Sequence, residues 1–286
     1  MFTGMPEGHA RSEGDRARDA LAGTRFADVR WVATTGSTNS DALGLARDGA
    51  PEGIVVVADH QTAGRGRRAR SWVAPPGASL LLSVLLRPPA AVAGAATMAT
   101  AVALAEAVAA VAGVEAGLKW PNDLVVGDRK LAGILAEADW PAGANISGGY
   151  RAPRPDERAV VVVGVGINVA WPDPGDLDAD LAELATTATS LSWEGATVDR
   201  VDLLVAFLRR LEARYGALRA EGPAPLLDEW RRRSATLGRR VRVDLGADDV
   251  AGTAVDVTAE GHLVVETDEG DRRTLAVGDV VHLRPV

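Results

Sequence analysis

Residues 118–138 read Leu118-Lys119-Trp120-Pro121-Asn122-Asp123-Leu124-Val125-Val126-Gly127-Asp128-Arg129-Lys130-Leu131-Ala132-Gly133-Ile134-Leu135-Ala136-Glu137-Ala138. The apolar runs on either side of Gly127-Asp128 predict two paired strands with those two residues as the turn. Working outward, residues 54–58, 80–86 and 160–169 are β-branched or leucine-rich and almost without alternation, the texture of strands covered on both faces. Residues 26–33 read as a further strand. Ser37-Thr38-Asn39-Ser40 offers N-caps for a helix running to about Arg47, and the alanine-rich residues 97–111 predict a helix packed closely on the sheet. The expected fold is therefore α+β (mixed α/β), with a central mixed sheet and helices on its covered face.

Two more helices are expected, at 201–220 and 224–234, the first carrying Leu204, Leu208, Leu211 and Tyr215 at helical spacing. After Leu237 the texture changes to five short strand-like segments separated by Gly or Asp turns, as in a small barrel. The expected division is a flexible leader (1–24), a catalytic domain (25–236) and a C-terminal barrel (237–286). Residues 141–158 are Gly/Pro-rich and polar and read as a surface loop. An edge strand at 160–169 is expected to be free to pair across a two-fold axis, so the chain is expected to be a monomer or weak homodimer.

A length of 286 residues, with 47% hydrophobic and 24% charged, excludes a disordered chain. Cysteine is absent, which rules out disulfides, thiolate metal sites and a cysteine nucleophile. No apolar run approaches the roughly 20 residues of a membrane helix, and no secretory segment follows the first arginines, so a cytoplasmic protein without membrane partners is expected. The formal net charge of −8 argues against broad nucleic-acid binding. Its distribution says more, because residues 60–105 contain no Asp or Glu. Inside that gap lies Gly64-Arg65-Gly66-Arg67-Arg68-Ala69-Arg70, a concentrated positive site.

Following a strand directly, such a loop is either a solvated basic turn or an anion site in which glycine allows close backbone approach and arginine adds planar donors. It is not a Walker loop, since no Gly-Lys-Ser/Thr follows, and Gly164-Val165-Gly166 lacks the third glycine of a dinucleotide fingerprint. Lys119 and Lys130 each open an apolar strand, as snorkelling edge residues or as partners of a buried anion. Asn168, ending a fully apolar strand, is a turn residue or a ligand to phosphate or magnesium.

Taken in order, Gly-Ser-Thr-Asn (36–39), Gln61 with Gly-Arg-Gly-Arg-Arg-Ala-Arg-Ser-Trp (64–72), Lys-Trp-Pro-Asn-Asp (119–123), Lys-Leu-Ala-Gly-Ile-Leu (130–135) and Gly-Val-Gly-Ile-Asn (164–168) resemble the biotin protein ligase family. The resemblance spans about residues 25–286. It implies a catalytic fold of the class II synthetase and biotin–lipoate ligase type followed by an SH3-like barrel. Where the family usually has glycine this chain has Ala69, so the loop is expected to be less flexible there. The family's regulatory members add an N-terminal DNA-binding domain, which residues 1–24 are too short to supply, so the enzyme-only form without DNA binding is expected.

The resemblance implies two steps: biotin and ATP, with Mg²⁺, give biotinyl-5′-AMP and pyrophosphate, and biotin then passes to one lysine of a biotin carboxyl carrier domain of acyl-CoA or pyruvate carboxylases. It implies catalytic roles for Lys130, Arg65 and Asp123, the last orienting the acceptor ammonium and receiving its proton. Biotin would meet Ser37, Thr38, Asn39, Gln61, Gly64, Arg65, Arg67, Lys130, Gly133, Leu135 and Gly164, with Ser37, Thr38 and Gln61 on the ureido ring. Amides near Gly64 and Gly66 would help hold the anions. ATP would meet Arg65, Arg67, Arg70, Trp72, Lys119, Asn122, Lys130 and Asn168, with Trp72 stacking on adenine and Asn168 reaching magnesium through the phosphates. The four arginines are expected to repel one another until an anionic ligand orders the loop. The barrel, beyond every motif, is expected to dock the carrier. A lipoyl or octanoyl ligase or transferase, and a non-catalytic biotin-responsive regulator, are the alternatives.

Overall fold

The structure is a computed structural model that describes residues 11–139, 145–146, 149–150, 154, 156–177, 179–246, 248–276 and 278–283. In chain order its elements are α1 (Glu13–Ala20), β1 (Val29–Thr35), α2 (Thr38–Arg47), β2 (Val55–Gln61), β3 (Ser79–Leu86), α3 (Ala90–Ala93), α4 (Ala96–Ala112), β4 (Gly117–Lys119), β5 (Asp123–Val126), β6 (Arg129–Asp139), β7 (Asn145–Ile146), β8 (Gly149–Tyr150) and β9 (Val160–Asn168). There follow α5 (Ala179–Leu184), α6 (Arg200–Glu221), α7 (Ala224–Arg233) and the barrel strands β10 (Arg240–Asp244), β11 (Asp249–Val257), β12 (Leu263–Thr267), β13 (Arg272–Leu275) and β14 (Asp279–His282).

Seven strands form one mixed sheet in the order β1-β2-β3-β9-β6-β5-β4, with only the β1–β2 pair parallel. The turn expected at Gly127-Asp128 joins β5 to β6, and Gly127 takes the left-handed φ of +61° that such a tight turn needs. Five antiparallel strands, ordered β13-β12-β11-β10-β14, make the C-terminal SH3-like unit.

Strand alternation decides where a site can form. Along β9, Val161, Val163, Val165 and Ile167 face the large core that includes α4 and α6. The opposite face of β9 carries Val162, which packs on Ala42 and Ala46 of α2. That face continues through Gly164, which packs against Asn39 at the start of α2, and then through Gly166 and Asn168. Strand β3 alternates likewise, sending Leu80, Leu82, Val84 and Leu86 into the core while Ser79 and Ser83 lie on the other face. A two-layer packing thus leaves one half of one sheet face floored by glycines and hydroxyls.

Two expectations are corrected here. The segment expected as a flexible leader contains α1, capped by Ser12 Oγ, which accepts from the Asp15 amide at 3.1 Å. Ala17 and Leu21, four residues apart, are both fully buried, and Arg200 Nη2 reaches Glu13 at 2.7 Å. One helical turn of apolar spacing plus an ion pair is enough to dock so short a helix. Second, β9 is not an edge, because β3 and β6 hydrogen-bond to it on either side, so its fully apolar texture marks a central strand. The loop expected at 141–158 lies largely outside the described residues. The core crosses the expected boundary at 236, since Val241, Val243, Val265 and Val280 belong to the same buried cluster as the sheet.

Candidate active site

The five sequence motifs converge on the glycine-floored face of the sheet. With the exception of Gly64, every residue expected to bind or act lines one cavity of about 340 Å³. Gly64 closes the base of the arginine loop through its carbonyl, which accepts from the Trp72 amide at 3.0 Å.

The start of α2 supplies one wall. Ser37 occupies the N-cap but makes no side-chain capping bond, which leaves its hydroxyl to the cavity. The Thr38 amide donates to Gln61 Oε1 at 2.8 Å, with the Thr38 hydroxyl 3.1 Å from the same oxygen, so the carboxamide oxygen is taken and Gln61 presents its NH₂. Asn39, 4% exposed, has its Oδ1 2.6 Å from Ser83 Oγ and donates through Nδ2 to the Leu135 carbonyl at 3.2 Å. A Cβ on Gly164 would collide with the Asn39 carboxamide, so that strand position must be glycine.

The sheet floor explains two more glycines. A Cβ at Gly166 would lie 2.5 Å from the Trp72 ring and one at Gly133 2.8 Å from it, so the indole rests on bare backbone of β9 and β6. Lys130 Nζ sits 5.4 Å from the indole centroid, a cation–π distance. The expected adenine platform is therefore laid flat along the floor, and its Nε1–H is buried with no partner. A buried donor of that kind calls for a ligand acceptor.

Lys130 is aimed by a feature that spacing does not reveal. The β5–β6 register shifts between Leu124 and Val125, so Leu131 is the extra residue of a bulge, and Lys130 lands on the same face as Gly133. Its backbone is pinned by an N–H donated to the Thr187 carbonyl and a carbonyl that accepts from the Thr189 amide, both at 2.8 Å. Its ammonium lies 2.7 Å from Asp123 Oδ1. Asp123, expected to receive a proton, thus first serves to aim Lys130. Burial lowers the Lys119 pKa, with Lys130 and Arg239 adding to it and Asp123 and Asp128 opposing. Asn122 Nδ2 donates to the Ile134 carbonyl at 2.6 Å, which ties the Lys-Trp-Pro-Asn-Asp loop to β6.

The arginine loop is closed on itself, with Arg65 bridging Ser71 and the Gly66 amide donating to the Arg70 carbonyl at 2.7 Å. That amide, expected to face an anion, is therefore occupied. The arginines already have anions: Arg65 meets Glu137 at 2.7 Å, Arg68 meets Asp244 at 3.2 Å, and Arg70 meets Asp279. Arg67 Nη1 reaches the Gly278 carbonyl at 3.2 Å and lies 3.8 Å from Asp279. The chain itself supplies the counter-charge that was expected from a ligand. Burial, and Arg68 beside it, push the Arg67 guanidinium down from its usual value. Asp244 and Asp279 belong to the barrel, and Asp279 and Val280 line the cavity, so the barrel reaches the site directly.

Asn168 is 2% exposed, donates to the Thr189 carbonyl at 2.9 Å, and has its Oδ1 3.5 Å from Ser79 Oγ. Among the described residues no three His, Cys, Asp or Glu side chains are grouped to hold a metal. Asp123 and Asp279, the carboxylates that line the cavity, are ion-paired to Lys130 and the arginines. The described residues do not build a resident metal centre.

Two lysines and three arginines facing one cavity, beside a separate cluster of hydroxyl and amide groups, define a protein suited to anionic or phosphorylated ligands, one of which also carries a polar, uncharged group. Residues 31–142 match the Biotin/lipoate A/B protein ligase family, and residues 236–283 match the Biotin protein ligase C terminal domain. The chain is 41% identical over 283 residues to the Biotin–[acetyl-CoA-carboxylase] ligase of Mycobacterium tuberculosis, covering 96% of this chain and 95% of that one. It is 32% identical over 239 residues to the Bifunctional ligase/repressor BirA of Bacillus subtilis, covering 83% and 69%. The fold superposes on the biotin protein ligase from Aquifex aeolicus in complex with biotin and ATP with a TM-score of 0.71 at 24% identity, covering 91% of this chain and all of that one. The chain belongs to the biotin protein ligase family.

Among the described residues no helix is long and apolar enough to cross a membrane. Three participants escaped the sequence reading, Glu137, Asp244 and Asp279. Each lies in an ordinary strand, and the sequence signal for them is the acid-free stretch that leaves the loop's counter-charge to come from elsewhere.

Proposed function

We infer that this protein is an enzyme that activates biotin with ATP to biotinyl-5′-AMP and passes biotin to a lysine of a carboxylase carrier protein. The observation that supports this reading best is the convergence of five separated motifs on one cavity, cations on one side and hydroxyl and amide groups on the other. In the first step a carboxylate oxygen of biotin attacks the α-phosphorus of ATP and the bond to pyrophosphate breaks. Two anions must be brought together, so Lys130, Lys119, Arg65, Arg67 and Arg70 offset their repulsion and the charge that migrates to the leaving group. Magnesium would come with ATP and would help neutralise its phosphates, and Asn168, which lines the cavity, would lie near them.

The ureido ring of biotin offers a carbonyl and two N–H groups. The Gln61 NH₂ suits the carbonyl, and the Ser37 hydroxyl suits an N–H. Trp72 lies on Gly133 and Gly166, where its free indole N–H meets a ligand oxygen and its ring excludes water from a hydrolysable anhydride. In the second step a neutral acceptor amine attacks the acyl carbon and AMP leaves. Asp123, released from Lys130 as that ammonium turns to the phosphate, takes the amine's proton.

Carrier domains of acyl-CoA and pyruvate carboxylases are the proposed acceptors, the site is proposed to work in the cytoplasm without DNA, and the assembly is proposed to be a monomer or weak homodimer. The test is ATP-dependent pyrophosphate release with biotin, then lipoate or octanoate in its place, followed by mass spectrometry of a purified carrier domain. Release with biotin and a biotinyl mass increment on one lysine are expected. Release with lipoate or octanoate alone would assign the chain to the other branch of its family.

A further inference from the structure

Glu137 stands on β6 two residues beyond the cavity-lining Leu135, half-buried behind the arginine loop. A single oxygen of its carboxylate, Oε2, accepts from two donors that belong to different walls of the site: Arg65 Nη2 at 2.7 Å and Asn39 Nδ2 at 2.8 Å. Asn39 continues through Ser83 to Thr38, with Ser83 Oγ 2.6 Å from Asn39 Oδ1 and 2.8 Å from Thr38 Oγ1. The Thr38 backbone amide ends the chain by donating to Gln61 Oε1 at 2.8 Å. One unbroken run of hydrogen bonds therefore joins the loop arginine to the amide-and-hydroxyl pocket.

We propose that Glu137 is a positioning residue, whose shared oxygen fixes Arg65 against Asn39 so that the guanidinium meets the carboxylate and phosphate only when the ureido wall is in place. This rests on the ligase reading above. A negative charge beside Arg65 weakens that arginine's attraction for two incoming anions, so a contribution to anion affinity is not what places Glu137 there. Geometry is. The Arg65 side chain is long and rotamer-rich, and the charge-assisted bond to Glu137 holds it in one orientation before substrate arrives. Asn39, with its carboxamide fixed at three points by Ser83, Leu135 and Glu137, is the stationary end of the pair.

The test compares Glu137→Ala with Glu137→Gln, whose amide oxygen can accept from both donors but carries no charge. For each, melting temperature, biotin affinity by calorimetry and single-turnover formation of biotinyl-adenylate are measured. Glu137→Ala is expected to slow adenylation at least tenfold while biotin affinity changes by less than fivefold, and Glu137→Gln is expected to restore the rate to within threefold of wild type. A double variant with Arg65→Ala is expected to be no slower than Arg65→Ala alone. Adenylation by Glu137→Ala within threefold of wild type would overturn the proposal, as would Glu137→Gln as slow as the alanine variant or a double variant slower by the full single-variant factor. Should Glu137→Ala not fold, a Glu137→Gln rate more than tenfold down at an unchanged melting temperature would overturn it, and a rate within threefold would uphold it. Wild type that makes no biotinyl-adenylate would instead defeat the ligase reading itself.

Discussion

Asp279, the first residue of the last barrel strand, places its carboxylate 3.4 Å from Arg68 Nη1 in the loop that carries the site's arginines. The same carboxylate pairs with Arg70 and lies 3.8 Å from Arg67. A unit that looked in sequence like a mere docking appendage is thus a neighbour of the chemistry. Removing this acid leaves three guanidiniums close together with fewer partners, and their repulsion opens the loop. The groups are partly exposed, so the effect is modest, about 1 kcal/mol or roughly fivefold. Asp279→Ala is expected to raise the KM for ATP by about that factor, leave biotin affinity unchanged and speed tryptic cleavage at the loop. Normal ATP kinetics with a normally protected loop would show that the barrel contact is idle.

By the same geometry, a truncation after residue 236 is expected to lose adenylation and transfer in parallel. The cut also runs through the shared core, which contains Val241, Val243 and Val265. Only a folded, soluble truncation that adenylates normally yet fails to transfer would restore the docking role as the barrel's main one.

On the proposed reading Lys130 faces the charge that develops as pyrophosphate leaves, so its contribution is expected mainly in the rate of the first step. Lys130→Ala is expected to slow single-turnover adenylation well beyond tenfold with the fold retained, since the bulge is held by backbone bonds to Thr187 and Thr189. A loss within about tenfold, only ~1.4 kcal/mol, would mean that the lysine has been given the wrong task.

The motif residues were legible because each motif gathers its chemistry within a few consecutive positions, and the strands that present them carry unmistakable apolar runs. The counter-charges were not legible, because Glu137, Asp244 and Asp279 reach the loop across 72 to 211 residues of chain. Helix α1 was legible in principle. Ser12 followed three residues later by Asp15 is an N-terminal capping pattern, and Ala17 and Leu21 lie one turn apart, yet the Gly- and charge-rich texture outweighed both signals. The bulge that turns Lys130 toward Gly133 depends on pairing with β5 and leaves no trace in a single strand's pattern.

Ala69 brings strain into the loop. It sits at φ +57° beside Arg68 at φ +52°, a left-handed region that costs an L-residue about 1–2 kcal/mol. Glycine removes that cost but gains freedom in the open loop, which offsets roughly 0.5–1 kcal/mol. Ala69→Gly is therefore expected to favour the closed loop slightly and to slow tryptic cleavage at the flanking arginines two- to fivefold, whereas Ala69→Val should speed it. Faster cleavage of the glycine variant would show that chain entropy, not backbone strain, governs closure.

His282 links the barrel to the Lys119 strand, and its environment makes stability depend on pH. Burial pushes its pKa down to about 4, with Arg239 and Lys119 adding to the effect and Asp128, 3.7 Å away, opposing it. Its side chain is only 7% exposed, so solvent screening is slight. An unfolded chain takes up a proton on this histidine near pH 6.5, while the folded one does so only near pH 4. Between those values the unfolded state binds more protons, so stability falls as pH drops through the window, by up to about 1.4 kcal/mol per pH unit, and the loss levels off below about 4. Replacing the ring by an amide that keeps a polar contact with Thr236 removes the titration. His282→Gln is expected to unfold in urea with a free energy that declines less between pH 6.5 and 4.5 than that of wild type, by about 2 kcal/mol. Parallel pH profiles for the two proteins would mean that His282 titrates alike folded and unfolded, and that the acid sensitivity of the interdomain contact has another source.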